Sequence, residues 1–561
     1  MEELSKSHRA RLAIRTFKII ADALTLRGYY KPSGRSGAKL EESLKLFEPE
    51  IYGTMADPRI VELKGLEYVI DRMPRGIEKC TRVILTANED FSHTSFTRVV
   101  PLKRRRVSWV VSENEICFVI SRGLSEIYDV LTHITFLNIE SQKLHNHICS
   151  SDGGSIQEWH DLAKAVTQPT GLKGTELDQA LWNLSIILGR TYEETRQSYL
   201  SLEENHLNGN HNNGLFSIIY AMGERICNEQ KSPDDRLTVF FTPALQEMIG
   251  HHKYASDWAF YVKKHLHERN LQKRPLHVIS ANMHSVANLL FGSGSLRESG
   301  ENVPDNLYEM IFKLRELDVD VRSYGEQHGL CYVRDDSGSN IDVMLIDTTG
   351  LDPADIHPAV GLDREYIEKE QPVIVVMDYA FGTQAFAVMD ELLSPYQLDE
   401  KIITLRFESI AVMGKAGILP GNKGDIMLAT AHVMEGTPNN YIVDNDLHVD
   451  DFPGVEVYRG PIVTVLGTSL QNRDVLERFH SSSWKAVGIE MEGGHYQRAI
   501  NAAIIQGHIP DFVKIRYAYY ASDNPLRSGQ TLASGPMGDN GVKPTYMITR
   551  VLLEKILNNP Q

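Results

Sequence analysis

This 561-residue sequence has little that points to a disulfide scaffold, a metal site or a membrane span. Its five cysteines are an odd number and form no CxxC pair, so we expect free thiols and no bound metal. No apolar run approaches the roughly 20 residues that a transmembrane helix needs. The first residues, MEELSKSHRARLAIRTF, also lack the order of a secretory signal. These absences predict a cytoplasmic protein without membrane contacts and without a cofactor.

Basic residues are outnumbered by acidic ones, and the imbalance is confined to one half of the chain. The formal charge is -16, from 58 Lys and Arg residues against 74 Asp and Glu residues. Residues 1–270 hold 34 basic and 35 acidic side chains, whereas residues 271–561 hold 24 and 39. Such a surface repels phosphate backbones, so the second half is predicted to act on a small molecule and not to bind nucleic acid.

Hydrophobic patterning divides the chain into two main regions. Residues 1–235 combine several amphipathic stretches with two strand-like runs, VSWVV and EICFVI, around a turn. They predict a mixed, largely helical N-terminal domain of unassigned function, followed by a connecting segment at 236–274. In residues 275–561 short apolar strands, with Val373–Met377 as a central one, alternate with helices such as Gln384–Leu393. This pattern is typical of an α/β domain whose sheet is covered on both faces.

Four segments of the second region lie at predicted strand ends, where ligands of α/β sheets bind. Gly414-Lys415-Ala416-Gly417 is predicted as a tight glycine turn whose N–H groups can hold an anion. Glu490-Met491-Glu492 opens a predicted helix, and its carboxylates either accept sugar hydroxyls or complement the helix dipole. Ser522-Asp523 ends a strand, where the aspartate is either a general acid or a turn former. The least specific is 377–384, a strand-to-helix junction whose amides can meet an anion.

In this order, the segments resemble the nucleoside phosphorylase and nucleosidase superfamily. The glycine segment followed by Gly424-Asp425, the Glu-Met-Glu element and the Ser-Asp element match motifs of that superfamily. Asp523-Asn524-Pro525-Leu526 is similar to the corresponding element of AMP nucleosidase. The resemblance covers the second region and implies a mixed sheet flanked by helices. It also implies hydrolysis of the N-glycosidic bond of a purine nucleoside or nucleotide.

The resemblance assigns roles to single residues. Asp523 would protonate the purine as the glycosidic bond breaks, Glu492 would bind the ribose hydroxyls and Met491 would pack on the ribose. The other candidates are implied in substrate binding: Glu490, Gly414, Lys415, Ala416, Gly417, Leu470, Ser522, Arg473, Arg527 and His284. Leu470 falls where relatives line the base, usually with an aromatic side chain.

The sequence departs from the superfamily pattern at two positions. Lys415 replaces a Ser or Thr, and with Arg473 and Arg527 it offers positive charge to a phosphate, although each of these side chains can equally point to solvent. The glutamate that activates water in methylthioadenosine-type nucleosidases is replaced by Val286, with His284 nearby.

These departures leave two alternatives to hydrolysis. One is a phosphorylase that uses inorganic phosphate, and the other is a nucleotide-sensing protein that keeps the fold without turnover. The resemblance further implies a homo-oligomer.

Overall fold

Helices and strands alternate along the chain and form two units, each with its own β-sheet. The computed structural model describes residues 5–87, 90–103, 106–149, 154–167, 172–232, 235–398, 401–527 and 537–558. The first unit comprises Met1–His251 with the segment Ser469–Val475, and the second comprises His252–Thr468 and Leu476–Gln561. The predicted α/β fold class is confirmed. None of the described helices combines the length and apolar character of a bilayer-spanning helix.

The first unit surrounds a six-stranded sheet with helices. Its helices are α1 (Lys6–Arg27), α2 (Arg35–Phe47), α3 (Leu63–Ile70), α4 (Leu124–Ile148), α5 (Gln157–Thr167), α6 (Thr175–Leu188), α7 (Tyr192–Gly209), α8 (Leu215–Lys231) and α9 (Pro243–His251). Its strands are β1 (Tyr29–Tyr30), β2 (Arg82–Thr86), β3 (Thr97–Val99), β4 (Val107–Ser112), β5 (Glu115–Val119) and β6 (Thr238–Phe241). The sheet order is β1-β6-β2-β5-β4-β3, in which β4 and β5 form the predicted antiparallel pair.

Helix α4 is the central element of the first unit, and most of its side chains are buried. Two of its acids face the buried guanidinium of Arg106. Asp129 accepts a hydrogen bond from this group, and a carboxylate oxygen of Glu126 lies 3.6 Å from Nε of Arg106. The core of the first unit therefore contains a charged cluster as well as apolar side chains.

The segment Ser469–Val475 is held inside the first unit by hydrogen bonds. Ser469 Oγ donates to Asp129 at 3.4 Å, and the side-chain amide of Asn472 donates to the carbonyl of Phe47 at 2.7 Å. The backbone N–H of Glu50 donates to the carbonyl of residue 471 at 2.9 Å. These bonds explain why seven residues from late in the sequence belong to the first unit.

The second unit is a larger sheet covered by helices. Its helices are α10 (Lys253–Glu268), α11 (Met283–Glu298), α12 (Leu307–Leu317), α13 (Val321–Gln327), α14 (Arg364–Glu370), α15 (Gln384–Leu393), α16 (Arg473–Ser481), α17 (Gly493–Ile505) and α18 (Val542–Leu557). The first three residues of α16 belong to the first unit and the rest to the second. Its strands are β7 (Leu276–Ser280), β8 (Leu330–Val333), β9 (Val343–Asp347), β10 (Val373–Met377), β11 (Tyr396–Leu398), β12 (Lys401–Ile403), β13 (Phe407–Ile418), β14 (Ile426–Met434), β15 (Asn440–Ile442), β16 (Val457–Thr464), β17 (Gly488–Glu490) and β18 (Lys514–Asp523). β11 and β12 form a separate hairpin.

The large sheet of the second unit is mixed, with the order β15-β14-β16-β17-β13-β7-β10-β9-β8, while β18 pairs with β13 and β14. Strands β7, β10 and β13 are mutually parallel neighbours, and β9 is antiparallel to β10. Successive strand residues point to opposite faces, so the apolar run Val373–Met377 supplies both faces. Val375 joins a core with α10, α15 and α17, whereas Val376 joins a core with α11, α12 and α18.

The glycine segment 414–417 lies inside β13, so the predicted tight turn was wrong. Gly414 pairs with Tyr519 of β18, and β13 continues to Ile418 before the chain turns. A Cβ atom on Gly414 would lie 3.4 Å from the ring of Tyr379, and one on Gly417 would lie 2.9 Å from Ile489. The small residues therefore permit close packing against a strand, and not a reversal of the chain.

Candidate functional site

One edge of β13 is left open at the centre of the second unit. β7 pairs with this edge only as far as Val412, and β17 joins the same edge at Gly417. The opposite edge is occupied by β18 along this whole stretch. Residues 413–416 thus lack a strand partner on one side among the described strands, beside the carboxyl ends of β7 and β10. Ligands of α/β sheets bind in such crevices.

The junction between β10 and α15 covers this opening. Tyr379 packs its ring against Gly414, and Gly382 has a left-handed backbone with a φ of 54°. This geometry directs the N–H of Gly382 to Oε1 of Glu492, at 2.9 Å. The predicted anion at the junction 377–384 is therefore a carboxylate of the chain itself.

Glu492 is half-buried and lies directly before α17. Its backbone carbonyl accepts the N–H groups of His495 and Tyr496, which begins the helix. Its side chain projects to the junction before α15 as described above. Met491, immediately before it, is buried. The structure thus brings the Met-Glu pair to the open edge of β13.

Glu490 is buried at 4% exposure, and its carboxylate contacts only neighbouring protein groups. One oxygen accepts the N–H groups of Glu492 and Gly493, and the other accepts the hydroxyl of Thr464. Nδ1 of His432 lies 3.4 Å from the latter oxygen. Burial opposes ionisation, but the contacts with His432 and Thr464 and the N–H of Gly493 hold the pKa of Glu490 below its usual range.

Asp523 ends β18 beside Gly417 and is 1% exposed. Its Oδ1 accepts the hydroxyl of Ser522, while its Oδ2 is buried without a hydrogen-bond partner in the described part of the chain. Burial raises the pKa of Asp523, although Ser522 and the positive charges of Lys415 and Lys423 oppose the rise. A carboxyl group in this setting is suited to carry a proton.

The remaining predicted residues of the second unit lie around this core of the site. Ala416 is buried in β13, and Lys415 beside it is exposed on the strand. Arg527 is exposed and donates to Oδ1 of Asn422 at 2.6 Å. His284 is exposed in the first turn of α11.

Leu470 and Arg473 lie in the segment Ser469–Val475, which belongs to the first unit. Leu470 is 1% exposed there, and Arg473 is exposed at the start of α16.

A cleft of about 740 Å³ opens within the second unit, and its described lining includes neither Glu492 nor Asp523. It reaches Asp378, next to Tyr379, and Tyr520, the register partner of Lys415. The charged side chains that line it are Arg315, Arg322, Asp318, Asp320, Asp342 and Asp378, and His284 also lines it. In the described residues no three His, Cys, Asp or Glu side chains are arranged to hold a metal ion.

Sequence reasoning missed His432 and Thr464, which contact Glu490. His432 lies in the apolar run of β14 and is completely buried. A polar residue alternating with apolar ones in a strand indicates burial but not its partner, because the partner is set by the pairing of β14, β16 and β17.

The family of the chain is known from its sequence. A model of a family of unknown function (DUF6909) matches residues 38–307 and 311–558. The chain belongs to this family. No curated protein sequence matches this DUF6909 member.

Solved structures resemble about half of this DUF6909 chain. The 5'-methylthioadenosine/S-adenosyl homocysteine nucleosidase of Campylobacter jejuni is 12% identical, with a TM-score of 0.30 over 50% of this chain and 97% of that one. Futalosine hydrolase of Helicobacter pylori is 11% identical, with a TM-score of 0.29 over 50% and 97%. Isoform 2 of uridine phosphorylase from Schistosoma mansoni is 10% identical, with a TM-score of 0.28 over 54% and 88%.

Proposed function

We propose that the second unit hydrolyses the N-glycosidic bond of a purine nucleoside or nucleotide. The observation that carries this proposal is Asp523, a buried carboxyl group with a raised pKa and one oxygen without a partner in the described residues. It ends β18, which pairs with the edge of β13 opposite the open one, and Glu492 supplies a second carboxyl group at the open edge. Two carboxyl groups with different environments can divide acid catalysis from sugar binding.

Asp523 acts as the general acid in this mechanism. Its raised pKa keeps a larger fraction protonated near neutral pH than an ordinary aspartic acid has. The proton passes from the carboxyl group to the purine as the C–N bond breaks, so the base leaves as a neutral molecule. Water adds to C1′ of the sugar and loses a proton, which restores the carboxyl group. Ser522 holds Oδ1, which leaves Oδ2 to face the base. Burial also keeps bulk water away from the carboxyl group, so that water does not compete with the base for the proton.

Glu492 binds the ribose hydroxyls. A carboxylate can accept two hydroxyl hydrogen bonds, and the sugar gains positive character as the bond to the base breaks. The N–H of Gly382 fixes the orientation of the carboxylate before substrate arrives. Met491 supplies an apolar surface next to it. The sugar is thereby held between the end of β17 and the junction before α15.

The charge of the cleft in the second unit favours a nucleoside without a phosphate. The wall carries four aspartates against two arginines, and each arginine already pairs with another carboxylate: Arg315 with Asp539 at 3.1 Å and Arg322 with Glu326 at 2.9 Å. A phosphate entering this cleft would meet a net negative field. Arg527, a predicted phosphate ligand, is bonded to Asn422 instead. We therefore expect adenosine or inosine to be preferred over AMP.

Phosphorolysis is the second candidate, and Lys415 is the observation that favours it. This exposed cation acts electrostatically on Asp523 and lies on the open strand segment, where inorganic phosphate could attack the sugar.

The homo-oligomeric state and the cytoplasmic location of the protein stay predictions from the sequence.

The experiment that tests these proposals measures base release. Purified full-length protein is incubated with adenosine, inosine and AMP, with and without inorganic phosphate. Without inorganic phosphate, free base with ribose, or with ribose 5-phosphate when the substrate is AMP, supports hydrolysis. Base release that needs inorganic phosphate supports phosphorolysis. Asp523→Asn should lower kcat by about 100-fold or more, while the exposed control Asp511→Asn should keep it. Nucleoside binding without base release by the wild-type protein contradicts both and supports the sensor alternative.

A further inference from the structure

The carboxylate of Glu490 is hydrogen-bonded within the protein and is not free to bind a ligand. Both of its oxygens are used by neighbouring groups: the N–H groups of Glu492 and Gly493 on one side, and the hydroxyl of Thr464 on the other. Its backbone carbonyl accepts the N–H of Val465 at 2.8 Å. A buried charge satisfied in this way has a fixed position.

The space behind Glu490 is equally constrained. A Cβ atom on Gly493 would lie 2.2 Å from the ring of His432 and 2.4 Å from the hydroxyl of Tyr519. A Cβ atom on Gly494 would lie 2.6 Å from Oγ1 of Thr464. The two glycines therefore let the first turn of α17 press against β14, β16 and β18, where His432 and Thr464 reach Glu490.

We infer that Glu490, supported by His432 and Thr464, is a positioning residue that sets the geometry of Glu492. Its Oε2 bonds to the backbone N–H of Glu492 itself and to that of the next residue. These bonds fix where the backbone of Glu492 leaves β17. From that point the side chain of Glu492 reaches the N–H of Gly382. This role replaces the direct substrate contact predicted for Glu490, and it rests on the proposed function of Glu492 in binding the sugar.

Removal of the Glu490 carboxylate should weaken the binding only of ligands that carry ribose hydroxyls. If Glu490 acts only through Glu492, its removal weakens the recognition of ribose hydroxyls and leaves the recognition of the base unchanged. A general structural role would weaken every ligand alike. The two roles therefore differ in how a variant treats adenosine and 2′,3′-dideoxyadenosine, which lacks both hydroxyls.

The experiment measures binding of these two probes by calorimetry to the wild-type reference and to Glu490→Gln, Glu492→Gln and the double variant. Every protein, the reference included, also carries Asp523→Asn, so that adenosine is not consumed during the titration. Glutamine keeps one acceptor oxygen for the amide pair but loses the negative charge, and it places an NH2 group where Oε1 accepts the hydroxyl of Thr464 and faces His432. We expect Glu490→Gln to weaken adenosine binding about tenfold and to change dideoxyadenosine binding by less than about twofold. The double variant should be no weaker than Glu492→Gln. Equal losses for both probes, or additive losses in the double variant, would overturn the inference. The exposed control Glu456→Gln should bind both probes as the wild type does.

A second measurement does not need a nucleoside. Amide hydrogen exchange of the free protein, followed by mass spectrometry, reports on the N–H groups of Glu492 and Gly493 that Glu490 accepts. We expect faster exchange in a peptide spanning 488–496 of Glu490→Gln, with exchange in β10 unchanged. Unchanged exchange at 488–496 overturns the inference. Faster exchange in a protein whose wild type binds neither probe refutes the proposed function, and with it the link to sugar binding, while the backbone contact stands.

Discussion

His277 gives the second unit a stability that depends on pH. It lies in β7, is 6% exposed, and its Nδ1 is 2.8 Å from the hydroxyl of Ser409, while its Nε2 has no partner among the described residues. Burial lowers its pKa to about 3, and the charges of Arg516 and Arg406 act in the same direction. The unfolded chain has the ordinary value of 6.5, so it takes up a proton at a pH where the folded chain does not.

The difference between the folded and unfolded pKa values of His277 sets the sign and size of this pH dependence. The contribution of neutral His277 to the free energy of unfolding is fully present above pH 6.5. It is lost as the pH falls from 6.5 toward 3, because the unfolded state then binds more protons. At pH 5 the two values give a loss of about 2 kcal/mol relative to pH 8. The full loss below pH 3 is about 5 kcal/mol.

Urea unfolding followed by circular dichroism at pH 8 and pH 5 measures this loss. His277→Gln keeps a hydrogen-bonding group for Ser409 but does not titrate, so its stability should fall by about 2 kcal/mol less than that of the wild type between these pH values. The exposed control His160→Gln should behave as the wild type does. If His277→Gln and the wild type lose the same free energy of unfolding, the reasoning is wrong.

Three further predictions concern packing, charge and catalysis. Gly493→Ala should destabilise the protein by about 1–3 kcal/mol in urea unfolding, because its methyl group has no space, whereas Gly250→Ala, with open space around it, should be neutral or slightly stabilising. Asp129→Ala should cost about 3–5 kcal/mol in the same assay, since it removes a partner of the buried Arg106; a loss under about 1 kcal/mol would contradict this. If Asp523 is the acid, kcat/KM should decline as the pH rises through a pKa above the ordinary aspartate value; the pH profile of Asp523→Asn should lack that step.

The sequence predicts those parts of the second unit whose secondary structure is determined by the local pattern of apolar residues. The apolar run Val373–Met377 is a central strand, and the predicted helix Gln384–Leu393 has the observed bounds. Ser522-Asp523 ends a strand as expected. In each case the hydrophobic period and the flanking residues agree with the tertiary structure.

The parts that it did not predict depend on long-range packing. Glycines at 414–417 signal a turn locally, but pairing with β18 keeps this segment extended. The stretch 175–202 has a continuous helical pattern, yet Gly189 adopts a left-handed conformation and separates α6 from α7. His432 and Glu490 are 58 positions apart in sequence, and only the order of β14, β16 and β17 brings them together.

The segment Ser469–Val475 has a consequence for dissecting the protein genetically. A fragment that begins at residue 252 would carry these seven residues without the groups that bond them, among them the carbonyl of Phe47 and the carboxylate of Asp129. A fragment that ends at residue 251 would lack the segment altogether. No single cut yields two complete units, so we expect neither fragment to reproduce the fold that its unit has in the full chain.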